Sequence, residues 1–456
     1  MRMPSLVVCL ILICCITTAW GQSQEIPQYA YTHPSALSLQ QAVQIALGEN
    51  PVLAAAKSQV EIAEQRVIQG RSGFLPRLNV SEGLQRTNNP TQVFSNKLNQ
   101  ENFTESDFAI NRLNQPNAIN DFATNFTASW PIYDGGRSWH GWQQAKIGKD
   151  ASAYALERSR QQVIARTTAA YAGVLLAIEN LAVVEAALKT AGANLSIASN
   201  RYGSGMAVKS DLLQAQVRQS DLEQQKLMVE GQIEVGRSIL NAAMGVPDQL
   251  RFELTDRLET PLSLDGTIES WLSISQDRRL DLKELNAREA MAKEEIEKAK
   301  AAYLPSLDLI GNYQIHTEDF DGSADNYSVG AVVSLNIFSG LETSAKVSEA
   351  QAALRQVQAL RRQMQSQVAL EVRQTYVQAA SAFQRISVAR QMMVQAEESL
   401  RIVANRYATG LLTIVDMLTA ETTLQQARTT FAQTLHDYSV GKTNLRLAAG
   451  VLDTEI

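Results

Sequence analysis

The feature of this sequence that most constrains its fold is an internal duplication. Residues 200–211 read NRYGSGMAVKSD and residues 405–416 read NRYATGLLTIVD, so Asn, Arg, Tyr, Gly and Asp recur 205 residues apart. Further pairs with this offset are Ile132 and Ile337, Gly135 and Gly340, Tyr171 and Tyr376, and Gly245-Val246 and Gly450-Val451. The chain is therefore one structural unit written twice.

The two copies differ in length at one place. Upstream of the strands, Phe74-Leu75-Pro76 matches Tyr303-Leu304-Pro305 at an offset of 229 residues. The first copy therefore holds 24 extra residues, which fall in a polar stretch, residues 88–120, that is rich in Asn and Gln. This stretch is predicted to be a long polar loop.

Each copy has the same predicted order of elements. A helical stretch (38–73 and 265–302) is followed by two strand-like runs, a very long helix (138–202 and 343–407), a turn and a last helix. The strand-like runs are 78–85 and 122–130 in the first copy and 307–315 and 327–337 in the second. In each run apolar and polar residues alternate, which is typical of a strand with one apolar face.

The strands alone fit two interpretations. A run of about ten residues suits a tilted strand of a membrane barrel. The same alternation is typical of a soluble hairpin with one buried face. Four strands per chain would leave an open sheet, whose unpaired edges are costly in lipid, whereas three chains would supply the twelve strands of a closed barrel.

The long helices favour an elongated assembly. About 65 residues without proline form a rod of roughly 100 Å, which cannot wrap a compact core. In the last helix a row of large residues and a row of small residues each repeat every seven positions, as in a coiled-coil seam. The rows are Met417, Leu424, Phe431, Tyr438 and Leu445, and Ala420, Ala427, Thr434, Gly441 and Ala448. We expect this seam to need other copies of the chain.

The N-terminus indicates export. A basic residue, an apolar run and small residues at positions 19 and 21 predict a signal peptide over 1–21; an uncleaved membrane helix and a lipoprotein anchor are the alternatives. The three cysteines, Cys9, Cys14 and Cys15, all lie in this segment. After the signal segment the sequence has no run of 18 apolar residues, so no membrane-spanning helix is predicted. The net charge of −6 and the absence of a basic stripe argue against nucleic acid.

Catalytic and metal-binding patterns are absent. The four histidines, His33, His140, His316 and His436, do not have metal-ligand spacing. Gly441-Lys442-Thr443 lacks the upstream glycine of a phosphate-binding loop, and no apolar strand precedes Gly203-Ser204-Gly205 as a nucleophile turn requires. The sequence predicts neither an enzyme nor a cofactor.

Taken together, the duplicated motifs resemble the TolC family of outer-membrane efflux proteins over essentially the whole mature chain. The resemblance rests on the two Leu-Pro strand entries, on Ile132-Tyr-Asp-Gly-Gly and Ile337-Phe-Ser-Gly, and on the paired NRY segments. It implies a mainly α fold with a transmembrane β-barrel: a homotrimer with a 12-stranded barrel continued by a long α-helical coiled-coil barrel. The expected parts are a first repeat (22–246), an equatorial connector (247–266) and a second repeat (267–456).

The resemblance also gives the paired segments a role. They would be the turns at the periplasmic tip, which include Arg201, Gly205, Arg406 and Gly410, and carboxylates there would narrow the channel. The expected gate residues are Asp416, Asp211, Tyr407, Leu411, Leu412 and Thr419. Asp416 matches the family's aspartate constriction, and Tyr407 is expected to point toward Asp211. Because Leu412 and Thr419 stand where the family has an arginine and a second acid, a hydrophobic constriction from Leu411 or Leu412 is the expected substitute.

The functional expectation is an outer-membrane exit duct of a tripartite efflux or type I secretion system. It would act passively, in the outer membrane lipid, with a periplasmic adaptor (a membrane fusion protein) and an inner-membrane pump. The cargo is left open between small molecules and polypeptides. The alternative is a structural periplasmic or surface coiled-coil protein.

Overall fold

The computed structural model describes residues 36–261, 263, 265–319 and 324–453. The predicted signal peptide and His33 lie outside this part of the chain. Among the described residues, one compact unit takes in Gln65–Lys146 and Ala290–Leu354, and the other takes in residues 36–64, Ile147–Glu289 and residues 355–453. Each unit therefore draws on both copies of the repeat, and the repeat boundaries stay a prediction about the sequence.

The helices and strands follow the predicted order twice. The helices are α1 (Leu39–Glu49), α2 (Pro51–Arg71), α3 (Pro90–Asn99), α4 (Ile110–Asn114), α5 (Arg137–Gly203), α6 (Lys209–Met244), α7 (Ile268–Arg278), α8 (Leu280–Lys300), α9 (Glu342–Ala408) and α10 (Ile414–Ala449). The strands are β1 (Ala36–Leu37), β2 (Arg77–Thr87), β3 (Ile119–Tyr133), β4 (Glu253–Leu254), β5 (Ser306–Thr317) and β6 (Ala324–Ser334). Helices α5 and α9 have 67 residues each, and α6 and α10 have 36 each. The predicted long helices are thus confirmed in both copies.

The predicted leading helical stretch of each copy consists of two helices separated by a break. Asn50 separates α1 from α2 with ψ 121°, and Arg279 separates α7 from α8 with ψ 119°. In the first copy Pro51 disfavours helical dihedrals at the residue before it. In the second copy leucine follows, and contacts of the Arg279 side chain hold the break. The break is therefore repeated although its chemical cause is not.

The long strands form one antiparallel sheet in the order β2-β3-β5-β6. The register places one set of alternate residues on the same face across the sheet: Leu78 pairs with Ala128, Phe126 with Tyr313, and Tyr313 with Tyr327. Glu82 and its partner Thr124 are polar residues on this face, and the Thr124 hydroxyl donates a hydrogen bond to the Glu82 carboxylate. The predicted alternation is thus confirmed.

The end of β6 differs from the prediction. The strand was expected to reach residue 337 but ends at Ser334, whereas β3, its equivalent, extends to Tyr133. Strand β3 is hydrogen-bonded on both sides, and its last pair joins Tyr133 to Leu307. Strand β6 is at the edge of the sheet and pairs with β5 alone, so its end lacks the second partner that supports β3.

The insertion is folded rather than a plain loop. It contains α3 and α4, and the side-chain oxygen of Asn89 accepts from the backbone N–H of Thr91 at the start of α3. Phe94, Phe103 and Phe108 make edge-to-face contacts at 4.9 and 5.1 Å. Beneath it Gln100 donates to Asp121, which also contacts the ring nitrogen of His316 at 3.0 Å. Composition alone did not indicate this packing.

In the helical unit, α10 is held along its length. Both heptad rows are buried, or partly buried at Phe431, by packing within the same chain. The facing residues lie on α9 and include Val372, Ala382 and Ala396. The expectation that this seam needs other copies is therefore wrong: helix α9 of the same chain fills it.

The close approach of α9 and α10 makes Gly441 sensitive to size. A Cβ at Gly441 would lie 3.3 Å from the Cα of Ala379, so the backbone of α9 limits the space. We expect Gly441→Leu to lower the free energy of unfolding by about 1–3 kcal/mol through overpacking. Chemical unfolding of the full chain in detergent, followed by circular dichroism, measures this change. Gly192→Leu is the control, because a Cβ at Gly192 meets nothing within 4 Å; equal losses from both variants would contradict this account.

By length and composition alone, α5 could also cross a membrane. It is the one helix of the described residues that meets both conditions, and 33% of its most apolar window is buried within the chain. The buried residues Tyr171, Val174 and Leu175 pack with α1 and α6. A core helix has the same composition, so this property is weak evidence for a membrane helix.

Candidate functional site

Two equivalent turns join the long helices. The first tip turn (residues 204–208) connects α5 to α6, and the second tip turn (residues 409–413) connects α9 to α10. Gly205 and Gly410 have φ of +74° and +80°, in the left-handed region where glycine is favoured. The N–H of the next residue donates back to an arginine carbonyl in both turns, from Met206 to Arg201 at 2.8 Å and from Leu411 to Arg406 at 3.0 Å. The repeated segment therefore folds as the same helix-ending turn twice.

Asp416 caps the helix that leaves the second tip turn. Its Oδ2 accepts from the N–H of Thr413 at 3.0 Å and from the hydroxyl at 2.7 Å, and its own N–H donates to the Thr413 hydroxyl. The side-chain hydrogen bond from Thr413, followed by the backbone one, lowers the pKa of Asp416 below its ordinary value. Both hydrogen bonds favour the ionised carboxylate, and the predicted position of Asp416 near a helix start is confirmed.

Asp211 has the equivalent position but different contacts. It lies in the first turn of α6, where a carboxylate suits the helix dipole, and the residue before this helix, Val208, makes no side-chain cap. The pairing of Tyr407 with Asp211 stays a prediction. The Tyr407 ring is 5% exposed and packs with Ile414 and Met417.

Arg201 joins the C-terminal ends of α5 and α9, next to the two tip turns. Its Nη2 donates to the carbonyl oxygens of Tyr407 at 2.9 Å and Ala408 at 2.8 Å, and its guanidinium carbon lies 4.7 Å from the centre of the Tyr407 ring. The last carbonyls of α9 lack the usual partner four residues later, although that of Tyr407 accepts from the Gly410 N–H at 3.0 Å, and they carry the negative end of the helix dipole. The Arg201 guanidinium supplies both the hydrogen-bond donors and the positive charge that these carbonyls lack. The sequence identified this residue only as part of a repeated turn.

The remaining predicted gate residues lie close together in the chain. Leu411 is 75% exposed, Leu412 is half-buried, and the Thr419 hydroxyl donates to the Val415 carbonyl at 2.8 Å. Beside them an open, largely apolar groove runs between α6 and α10. Its lining includes Leu213, Val217, Val415 and Leu418. The second tip turn and the first turn of α10 thus combine the Asp416 carboxylate with exposed apolar side chains.

Two polar clusters in the helical unit were missed from the sequence. Asn50 Nδ2 donates to the Ala243 carbonyl at 2.8 Å, and Arg279 Nη1 donates to the Ala448 carbonyl at 2.9 Å. The donors Asn50 and Arg279 are 229 residues apart, and the acceptors Ala243 and Ala448 are 205 residues apart. Aligning the two copies at both offsets would therefore have identified these equivalent hydrogen bonds. The second cluster surrounds Glu421, which accepts from Asn194, and burial raises the pKa of this carboxyl.

In the described ranges, no group of three or more His, Cys, Asp or Glu side chains is placed to hold a metal ion. The prediction that the chain has no cofactor rests on the sequence alone.

Similarity to known proteins identifies the family. The model of the family described as outer membrane efflux protein matches residues 42–246 and 271–451, and so both copies of the repeat. The proteases secretion protein PrtF of Dickeya chrysanthemi is 25% identical over 434 residues, which are 92% of this chain and 89% of PrtF. The outer membrane protein TolC of Escherichia coli strain K12 is 22% identical over 444 residues, 92% of this chain and 83% of TolC.

A solved structure has the same fold. The outer membrane protein VceC of Vibrio cholerae superposes with a TM-score of 0.74 at 19% identity, over 90% of this chain and 96% of VceC. The resemblance to the TolC family, the outer-membrane location and the role as an exit duct are confirmed, in preference to a structural coiled-coil protein. The family is one of channels and not of enzymes. This chain belongs to the outer membrane efflux protein family.

Proposed function

We propose that three copies of this chain form the duct by closing their sheets into a 12-stranded barrel. The observation that carries this proposal is the sheet itself. Within the described part of the chain, the outer edges of β2 and β6 have no neighbouring strand. In lipid each unpaired backbone group costs several kcal/mol, so an open sheet needs partners. Pairing β6 of one copy with β2 of the next removes both edges.

The apolar face of the sheet supports a lipid contact. Leu78, Val80, Tyr327, Val329 and Val333 are 77%, 57%, 79%, 81% and 70% exposed. All lie on the one face that the register defines. A barrel in a membrane presents such a face outward and its polar face to the lumen. The insertion between β2 and β3 would then lie outside the cell, where long loops of such barrels belong.

The helices would continue the duct through the periplasm to the two tip turns. A periplasmic adaptor would dock there, and an inner-membrane pump would supply the energy through it. PrtF is named for the secretion of proteases. Polypeptides are therefore one cargo class to test for this chain, beside small molecules.

At the tip, Asp416 would select and gate. In a trimer three Asp416 carboxylates would converge on one axis, with Leu411 and Leu412 as the apolar part of the constriction. The hydrogen bonds from Thr413 lower the pKa of each Asp416 carboxyl and so favour its ionised form. A ring of ionised carboxylates attracts cations and excludes anions.

The test is the conductance of Asp416→Asn in a planar bilayer. Asn keeps an oxygen that can accept from Thr413, so the turn and the trimer should form normally. We expect the preference for cations over anions at neutral pH to fall several-fold, and block by multivalent cations from the periplasmic side to weaken. Glu269→Gln, at an exposed position of α7 away from the tip turns, is the control.

Two results would assign the constriction elsewhere. If Asp416→Asn trimers keep wild-type selectivity and block, Asp416 only starts a helix, and the Leu411–Leu412 pair must narrow the duct. If the protein yields no trimers from outer membranes, the closed barrel itself is wrong.

A further inference from the structure

The contact between Arg201 and Tyr407 is made in one direction only, although the repeat supplies a second arginine and a second tyrosine at the equivalent positions. Tyr202 is equivalent to Tyr407, and Arg406 is equivalent to Arg201, at the offset of 205 residues. The Tyr407 ring, beneath Arg201, is 5% exposed, whereas Tyr202 is 43% exposed. The Arg406 side chain is also exposed, and its guanidinium makes no side-chain hydrogen bond or ion pair within the described residues. Arg201 therefore binds within the chain, whereas the equivalent arginine, Arg406, and the tyrosine equivalent to its acceptor, Tyr202, are both exposed.

The first tip turn offers the same receptor as the second. It ends α5 with the same turn hydrogen bonds, including Gly205 N–H to the Tyr202 carbonyl at 3.0 Å, as Gly410 N–H bonds to Tyr407 at 3.0 Å. The carbonyls of Tyr202 and Gly203 correspond to the two that Arg201 binds. They lie at the negative end of a 67-residue helix, beside an exposed aromatic ring. An arginine fork matches this combination of paired carbonyls and ring face.

A second observation shows that α9 lacks a neighbour that α5 has. Leu370 and Val377 of α9 are 54% and 60% exposed, whereas their equivalents on α5, Ala165 and Ala172, are 6% and 4% exposed. Ala165 is covered by Leu452, which follows α10, and by residues of α1. The second copy therefore presents, with larger apolar side chains, a face that the first copy buries within the chain.

We propose that Arg406 of one protomer docks at the C-terminal end of α5 of the next protomer, beside the first tip turn, where it donates to the carbonyls of Tyr202 and Gly203 and covers the Tyr202 ring. The partner is a second copy of this chain. In a head-to-tail ring, the first repeat of each protomer contacts the second repeat of the same protomer. That second repeat then contacts the first repeat of the next protomer. Arg201 and Arg406 would then alternate around the tip, one within and one between protomers. This inference rests on the proposed ring of copies.

Cross-linking tests the placement, because all three cysteines lie in residues 1–15 and the predicted mature chain has none. The variant Tyr202→Cys/Arg406→Cys is extracted as trimers and treated with a thiol-specific cross-linker about as long as an arginine side chain. We expect bands of two and three linked chains on a denaturing gel. The control Arg201→Cys/Tyr407→Cys should link within a chain and keep the mass of one chain. Assembled trimers in which the first pair gives only single chains would overturn the proposal.

Hydrogen exchange tests the bond itself in trimers that keep the native tip. Arg406→Ala should speed exchange of the Gly205 and Met206 amides roughly tenfold or more, since a charged hydrogen bond to their turn is lost. It should leave the second tip turn unchanged. Arg201→Ala should do the reverse, at Gly410 and Leu411. Arg406→Lys, which keeps the charge but lacks the fork, should fall between wild type and Arg406→Ala.

The outcomes separate this inference from the function it rests on. Loss of trimers in the wild-type protein would refute the ring. Normal trimers in which Arg406→Ala leaves exchange at the first tip turn unchanged would refute the docking of Arg406 alone.

Discussion

Replacing Arg279 with alanine is expected to lower the free energy of unfolding by about 3–5 kcal/mol, the loss typical of removing one partner from a buried ion pair. Arg279 is 3% exposed. Its guanidinium contacts Asp281 at 2.6 Å and Glu371 at 2.9 Å, and it donates to the Ala448 carbonyl at 2.9 Å. Without it the carboxylates and the end of α10 lose their common partner. Denaturant unfolding of the full chain in detergent gives the difference.

The first copy supplies a matched control for Arg279→Ala. Asn50→Ala removes the equivalent bond, from Asn50 to the Ala243 carbonyl, but removes no charge. A neutral hydrogen bond contributes about 0.5–1.5 kcal/mol, so Asn50→Ala should have the smaller effect. Equal losses at the two sites would mean that the ion pairs around Arg279 add nothing to the hydrogen bond.

The effect of Arg279→Ala should also depend on pH. Burial acts to raise the pKa of Asp281, but the hydrogen bonds and charge of Arg279 outweigh it and the pKa lies below its ordinary value. A lowered pKa contributes stability that is present above the unfolded value, about 3.9 for Asp, and is lost as the pH falls through the folded value. The difference between wild type and variant should therefore be largest above about pH 4 and shrink below it. A difference that does not change with pH would show that Asp281 is not coupled to Arg279.

The second large effect is expected at Gly450, which follows the last residue of α10 and contacts the break between α7 and α8. Its φ is +74°, and an added Cβ would lie 2.9 Å from the backbone of Arg278 and Arg279. The left-handed conformation and the collision with backbone should together make Gly450→Ala lose about 2–5 kcal/mol. The same unfolding experiment in detergent measures it.

Gly410→Ala separates the two contributions. Gly410 has φ of +80°, but nothing lies within 4 Å of an added Cβ. It should lose only the backbone part, about 1–2 kcal/mol. If both alanine variants lose the same amount, the packing of Gly450 against the α7–α8 break contributes nothing.

The sequence predicted what repeats with a simple period. The long helices, the alternating strands and the two tip turns follow from patterns that local chemistry determines, such as heptads, period-two alternation and glycine at left-handed positions. The position of Asp416 at a helix start was predictable for the same reason. Its role in a constriction depends on other copies and stays a prediction.

The sequence did not predict what depends on contacts between distant segments. The heptad rows of α10 show that a partner helix exists but not whether it lies in the same chain, and here it is α9. The break at Arg279 has no proline to indicate it. The folded insertion depends on Gln100 reaching Asp121, which composition does not encode. Arg201 could be identified as repeated, but only the packing of the two turns shows what it binds.

The equal lengths of the repeated helices limit how this chain can change in evolution. Removing one residue from α5 alone would withdraw Arg201 by about 1.5 Å along the helix and rotate it by about 100° relative to its carbonyl acceptors on α9. Substitutions can accumulate independently in the two copies, and over most positions they have. A change of length in one long helix would require the same change in the other copy. The insertion between β2 and β3, which adds 24 residues to one copy only, lies where no such matching is required.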